Sequence, residues 1–286
     1  MRVHFIGIGG IGLSALARFL NFDGHSVSGS DMKSSSITKE LEKEGIKVSC
    51  PQEAKNISDD LDLVIYSAAV TDENPELIEA RLKQIRTLSR KEALPIILGD
   101  KKNYCVAGAH GKSTTTAILA TILQSSALIG AISKEFGSNF RYVDKTVAFE
   151  ADESDASFLL SNPYCAIVTN AEPEHMEYYH YDYDKFYESY ETFLSLAKKR
   201  VVNGEDKDIQ KLKIEDATYL YPSKDIKNLC YTLKDGQPCT KFDLKDYGTF
   251  EVWGFGFHIA SNASLAILAA LNELDIETIR KNLLNY

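Results

Sequence analysis

The chain has 286 residues, 44% hydrophobic and 26% charged, which is enough for two domains with sizeable cores. Its formal charge of −9 argues against broad binding to nucleic acid or an anionic membrane, which needs a basic face, but leaves room for phosphate ligands held by backbone N–H groups and one lysine. Five cysteines without a C-x-x-C pair suggest neither a zinc site nor a disulfide framework and fit a reducing cytoplasm; the start MRVHFIGIGG is no signal peptide, and no apolar run reaches the ~18 residues of a membrane span. In chain order, residues 2–8 read as an apolar strand and 13–20 as a helix, with Leu13, Leu16, Ala17 and Leu20 on one face. Val27–Ser30 is a second strand, 37–44 a helix, Ile46–Ser49 and Leu63–Tyr66 strands, and 75–83 a helix. The pattern restarts after the polar run GDKKN: strand Tyr104–Ala107, a glycine turn at 108–111, and helix 114–124. Strands Thr146–Phe149 and Cys165–Thr169, helix 182–197, strand Thr249–Trp253 and helices 259–272 and 276–284 follow, while 203–250 is too weakly periodic to assign. Alternating strands and helices predict an α/β fold with parallel sheets: a Rossmann-like domain over 1–99 and a P-loop-type α/β domain over 100–286.

Each domain opens on glycines. Gly7-Ile8-Gly9-Gly10-Ile11-Gly12 follows a strand and precedes a helix, and Asp31 stands 19 residues on, at the end of the second strand, where a ribose hydroxyl would be met. Glycine lets a pyrophosphate approach the backbone, and the helix N-terminus supplies donors and a positive dipole end. The pattern points to a diphosphate-bearing nucleotide without saying which, and a tight turn with no ligand is its plain alternative.

Gly108-Ala109-His110-Gly111-Lys112-Ser113-Thr114 is a phosphate-binding loop for Mg-ATP: Lys112 can reach the β/γ-phosphates and the Ser113 hydroxyl can ligate Mg²⁺. It is shorter than a Walker A loop, whose first glycine would fall at Val106. Glu150, Asp152, Glu153 and Asp155 cluster at a strand end, where carboxylates repel unless a cation joins them; a solvated acidic loop is the alternative. His175 closes the run NAEPEH after the next strand and is a possible metal ligand beside Glu172 and Glu174. His258 and Asn262 begin an Ala/Leu-rich helix, and the Tyr-rich run 178–190 reads as a helix packing its aromatic face.

Together and in this order, FIGIGGIGLSALA (5–17), GSD (29–31), VIYSAAV (64–70), GAHGKSTTT (108–116), EADESDASFL (150–159) and VTNAEPEH (168–175) resemble the muramyl (Mur) ligase family, and EADESDASF resembles its alanine-adding branch. The resemblance implies three domains, binding a UDP-sugar, ATP and an amino acid in turn. It implies that Gly7, Gly9, Gly10, Ile11, Gly12, Asp31 and Ser67 hold the UDP substrate rather than NAD. It also implies ATP at Gly108–Thr114 with His258 and Asn262 at the adenine, magnesium at Ser113, Glu150 and His175, and chemistry carried by Lys112, His110, Glu150 and His175. The implied reaction is cytoplasmic and bacterial, joining L-alanine to UDP-N-acetylmuramate at the expense of ATP in peptidoglycan synthesis. Two departures stand out: Ile259 occupies a position where the family has Asn, and Pro173-Glu174 replaces Ala-Asp before His175. The chain stops at Tyr286, about where the third domain would begin, so the expectation is nucleotide binding without completion of the amide. Other readings are a ligase for a preformed peptide, a non-catalytic nucleotide-binding module, and an NAD-dependent oxidoreductase.

Overall fold

A computed structural model describes residues 1–133 and 137–286. It divides the chain into two compact units: Met1–Gly99 with Gly130–Tyr142, and Asp100–Ile129 with Val143–Tyr286. The α/β class read from the sequence holds in both.

In the first unit the order is β1 (Arg2–Ile6), α1 (Ile11–Phe22), β2 (Ser26–Ser30), α2 (Ser36–Lys43), β3 (Lys47–Ser49), β4 (Leu63–Tyr66), α3 (Pro75–Leu82), β5 (Arg86–Ser89) and α4 (Arg90–Leu98). The strands form one parallel sheet ordered β3-β2-β1-β4-β5. β1 stops two residues earlier than its apolar run suggests, because Gly7 turns the chain at φ +82°. β5 and α4 escaped the sequence reading: a four-residue strand shows no clear alternation, and Pro95 interrupts the helical pattern of α4. One part of the core gathers Ile6, Ile57, Val64, Leu77 and Ala80, all buried.

The second unit contains β6 (Lys102–Ala107) and α5 (Lys112–Leu123). Along the chain then come β7 (Ser126–Ser133), β8 (Ser138–Arg141), β9 (Thr146–Glu150), β10 (Pro163–Val168), α6 (Tyr183–Leu196), β11 (Lys199–Asn203) and β12 (Thr218–Leu220), of which β8 and the end of β7 are counted with the first unit. α7 (Pro222–Asp225), β13 (Ile226–Lys234), β14 (Gln237–Leu244), β15 (Thr249–Trp253), α8 (Phe257–Ala270) and α9 (Ile276–Leu283) complete it. The main sheet runs β12-β11-β10-β6-β9-β7-β8, and β13-β14-β15 form a separate antiparallel sheet, of which the sequence reading found β15 while β13 and β14 lie in the stretch that periodicity left blank. β13 is exposed along most of its length, so it carries little of the alternation that marks a half-buried strand.

Residues 130–133 and 137–142, assigned to the second domain on sequence, fall in the first unit. Phe140 and Tyr142 meet the rings of Phe19 and Phe22 on α1 at centroid separations of 5.5–6.3 Å. Asn139 donates to Ile11 O and to Ser14 Oγ (3.2 Å) and accepts from Arg18 (3.0 Å). α1 thus has an aromatic edge covered by a segment more than a hundred residues away in sequence.

Candidate nucleotide-binding sites

Parallel strands place the functional side chains, since every loop after a strand's C-terminus opens on the same edge of its sheet. In the second unit β9, β6 and β10 are adjacent and parallel, so the loop after β6 lies between the acidic loop after β9 and the Thr169-Asn170 corner after β10. In the first unit β1 lies between β2 and β4, which brings Gly7–Gly12, Asp31 and Ser67 to one edge.

Helix capping marks both loops. α2, α3, α4, α6 and α9 each begin on a side chain that accepts from their first N–H groups, whereas α1, α5 and α8 begin on Gly10, Gly111 and Gly256 with no side-chain cap. Their unsatisfied N–H groups and positive dipole ends suit an anion.

A cavity of about 600 Å³ in the first unit is lined by Gly7, Gly10, Asp31, Ser67 and Asn74 among others. Gly9, Ile11 and Gly12 support this wall without lining it. Asp31 does not wait for a ribose with free oxygens: one accepts from Gly9 N (2.9 Å), the other from Met32 N (2.8 Å). A side chain at Gly9 would meet Asp31 at 2.8 Å, and one at Gly12 would press on Arg90 at 3.3 Å. At Gly7 an added Cβ would lie 3.1 Å from that of Ser67.

In the second unit a cavity of about 580 Å³ is lined by His110, Gly111, Thr114, Asn170, His258 and Asn262, with others. Gly108, at φ +133°, has no room for a side chain: a Cβ would lie 2.3 Å from Thr169 Oγ1. Thr169 Oγ1 and Asn170 Nδ2 donate to His110 O at 2.6 and 2.8 Å, and His110 N donates back to Asn170 Oδ1 at 3.1 Å. The corner after β10 therefore braces the phosphate loop, a role the sequence reading missed. Its signal was the polar pair directly after an apolar strand. Asn262 packs on the loop as well, since a Cβ at Gly111 would come 2.7 Å from its Oδ1.

Ser113 Oγ donates to Glu150 Oε1 at 3.0 Å. Lys112 folds back on its own loop, donating to the carbonyls of Gly108 and Ala109 and to Glu153 Oε1 at 3.1 Å. The four clustered carboxylates thus part company. Glu150 faces Ser113, Glu153 is buried on Lys112, and Asp152 and Asp155 accept from Ser154 N and Ser157 N within turns. Glu153 was read only as one of an acidic group. Burial pushes its carboxyl above the usual range, against the downward pull of Lys112.

His110 lies 3.6 Å from Glu172 and 3.5 Å from Glu174. His175 is exposed at φ +52°, and its imidazole makes no hydrogen bond or ion pair among the described residues. Among these residues no three His, Cys, Asp or Glu side chains cluster as a metal site. Mg²⁺ fits all the same: it prefers oxygen and keeps several water or phosphate ligands, and Ser113 Oγ with Glu150 Oε1 offers two oxygens at the mouth of an uncapped helix. A triphosphate fits too, because α5 begins on Gly111 with no side-chain cap and His110, Gly111 and Thr114 line the cavity of about 580 Å³.

The Mur ligase family catalytic domain matches residues 2–102 and the Mur ligase middle domain residues 106–270. The chain is 58% identical over its whole length to the UDP-N-acetylmuramate--L-alanine ligase of Campylobacter curvus and 50% identical to that of Helicobacter pylori. It spans 65% and 63% of these relatives, a little under two thirds of their length. Among solved structures, the UDP-N-acetylmuramate-alanine ligase of Thermotoga maritima superposes with a TM-score of 0.84 at 29% identity, over 99% of this chain and 68% of that one. With matches covering all three sheets and both glycine loops, the chain belongs to the Mur ligase family.

Proposed function

We propose that residues 1–286 supply the UDP-sugar-binding and ATP-binding parts of a ligase that joins L-alanine to the lactyl carboxylate of UDP-N-acetylmuramate. The observation carrying this reading is the loop at Gly108–Thr114, whose lysine, uncapped helix and Ser113–Glu150 pair converge at the ends of three adjacent parallel strands. Full-length identity to relatives named for that reaction supports the choice of substrates.

In this reading a carboxylate oxygen of the sugar nucleotide attacks the γ-phosphorus of ATP, ADP leaves, and an acyl phosphate forms. The amine of alanine then adds to the acyl carbon and phosphate departs, giving the amide. Transfer of this kind depends chiefly on positioning and charge neutralisation. The Lys112 ammonium serves the β/γ-phosphates, and the N–H groups of Gly111, Lys112 and Ser113 wrap them. His110, from the same loop, serves the transferred phosphoryl, its Nε2 lying beside Glu172 and Glu174. Ser113 and Glu150 would hold Mg²⁺, with His175 a further ligand; bound there, the metal would neutralise phosphate charge. His258 and Asn262 border the nucleoside cavity. Gly7, Gly10 and Ser67 border that for the UDP-sugar, with Asp31 fixing the loop.

Calorimetry tests the assignment. The chain should bind ATP in Mg²⁺ and UDP-N-acetylmuramate, and NAD should bind far more weakly than the UDP-sugar. Lys112→Ala should abolish ATP binding at millimolar nucleotide and leave the UDP-sugar untouched. Saturation by micromolar NAD without response to UDP-sugar would overturn the reading.

A further inference from the structure

Lys112 has three N–H donors, and all three are engaged: one each on Gly108 O, Ala109 O and Glu153 Oε1. As it stands the ammonium has no proton to offer a phosphate. Two of these partners are loop carbonyls, which any nucleotide-free loop would supply. The third is a carboxylate from the neighbouring strand's loop, only 3% exposed, whose second oxygen Oε2 has no hydrogen-bond partner among the described residues. Glu153 thus depends on Lys112 for its counter-ion, and burying a charge without one is costly.

The Glu153 backbone is held in place. Tyr179 donates to Glu153 O at 2.6 Å, and its ring sits edge-on to Phe186 of α6 at 5.1 Å. Here the Tyr-rich run does more than fill the core: it anchors the turn that aims a carboxylate at the phosphate loop. Ser157 Oγ, donating to Asp152 O at 3.2 Å, ties the same turn from the other side.

We propose that Glu153 is a positioning residue that latches Lys112 in the nucleotide-free loop and competes with the triphosphate for it. ATP must exchange the Glu153–Lys112 pair for a phosphate–Lys112 pair, and the carboxylate left behind, buried and one counter-ion short, lowers the net gain. The latch weakens ATP binding and keeps Lys112 from lending its charge to other anions when no nucleotide is present. Glu150, three residues earlier, accepts from Ser113.

The inference rests on the ATP-binding assignment, and the test separates the two. ATP in fixed Mg²⁺, and inorganic tripolyphosphate without nucleoside, are titrated calorimetrically into the 286-residue chain and its Glu153→Gln variant. Glutamine keeps the size and one acceptor oxygen but removes the charge. Since charged hydrogen bonds are about twice as strong as neutral ones, both ligands should bind roughly three- to tenfold more tightly to the variant. A merely structural part for Glu153 would leave affinity unchanged or lower it, and either result overturns the latch. If the wild-type chain itself binds no ATP, the functional reading fails instead. Should Glu153→Gln lack a cooperative melt, Glu153→Met, also uncharged and of similar length, takes its place with the same expected sign.

Discussion

Two glycines that look alike in sequence are needed for different reasons. Gly10 has ordinary extended backbone at φ −68°, and an added Cβ would find only Gly7 O, at 3.5 Å. Nothing in the fold forbids a side chain there, so Gly10→Ala should melt as the wild type does while losing UDP-sugar affinity, because the methyl occupies the diphosphate's approach. Gly108 is required by the fold itself, through its φ of +133° and the Thr169 contact. Gly108→Ala should cost about 2 kcal/mol or more in stability along with ATP binding, read from urea midpoints and calorimetry. A second residue-scale case is Glu76, fully buried in the first unit. Burial raises its pKa, but hydrogen bonds from Ser30 and Asn56, with the His4 imidazole 3.6 Å away, outweigh that, and the net shift is downward from 4.5. A depressed carboxyl lends stability above its unfolded pKa and loses it as pH falls through the folded value. Acid should therefore destabilise the protein partly through Glu76, and Glu76→Gln should flatten the loss between neutrality and pH ~3 in denaturant midpoints. An acid limb unchanged by the substitution would place the sensitivity elsewhere.

Among the elements, α1 shows how a loop is supported from a distance. Its first residue, Ile11, lends its carbonyl to Asn139 of β8, and Asn139 also receives a hydrogen bond from Arg18, itself only 4% exposed. Asn139→Ala removes its hydrogen bonds to Ile11 O and Ser14 Oγ, both in the turn that follows the glycine loop, and the one from Arg18. It should destabilise the chain by about 2–3 kcal/mol and weaken the UDP-sugar while sparing ATP. Equal loss for both ligands would show a general collapse in place of a local one. The same comparison explains what was legible at this scale. α5 and α8 stood out because long Ala/Leu/Ile runs follow glycines, and their uncapped starts could be placed within two residues of the observed Lys112 and Phe257. β8, only four residues long, gave no periodic signal, and its place against α1 follows from contacts across some 120 residues of chain.

At the scale of the whole molecule, each unit carries its own sheet, its own glycine loop and its own cavity. Ligand protection should divide accordingly in amide hydrogen exchange. UDP-N-acetylmuramate should slow exchange around residues 7–12 and 67–75, ATP around 108–116 and 257–262, and NAD neither. ATP protection confined to the first unit would reverse the allocation of nucleotides. By itself the sequence determined the α/β class and the place of both glycine loops between a strand and a helix, because glycine spacing and strand-to-helix transitions are local and backbone geometry imposes them over a few residues. Only the tertiary structure decided the rest. Strand order set β9 and β10 on either side of β6, so Thr169 and Asn170 became braces of the phosphate loop and Glu150 the partner of Ser113. Burial singled out Glu153 from its acidic neighbours and gave it Lys112. A carboxylate's role depends on what lies opposite it and how much water reaches it, and neither is written in the residues beside it in the chain.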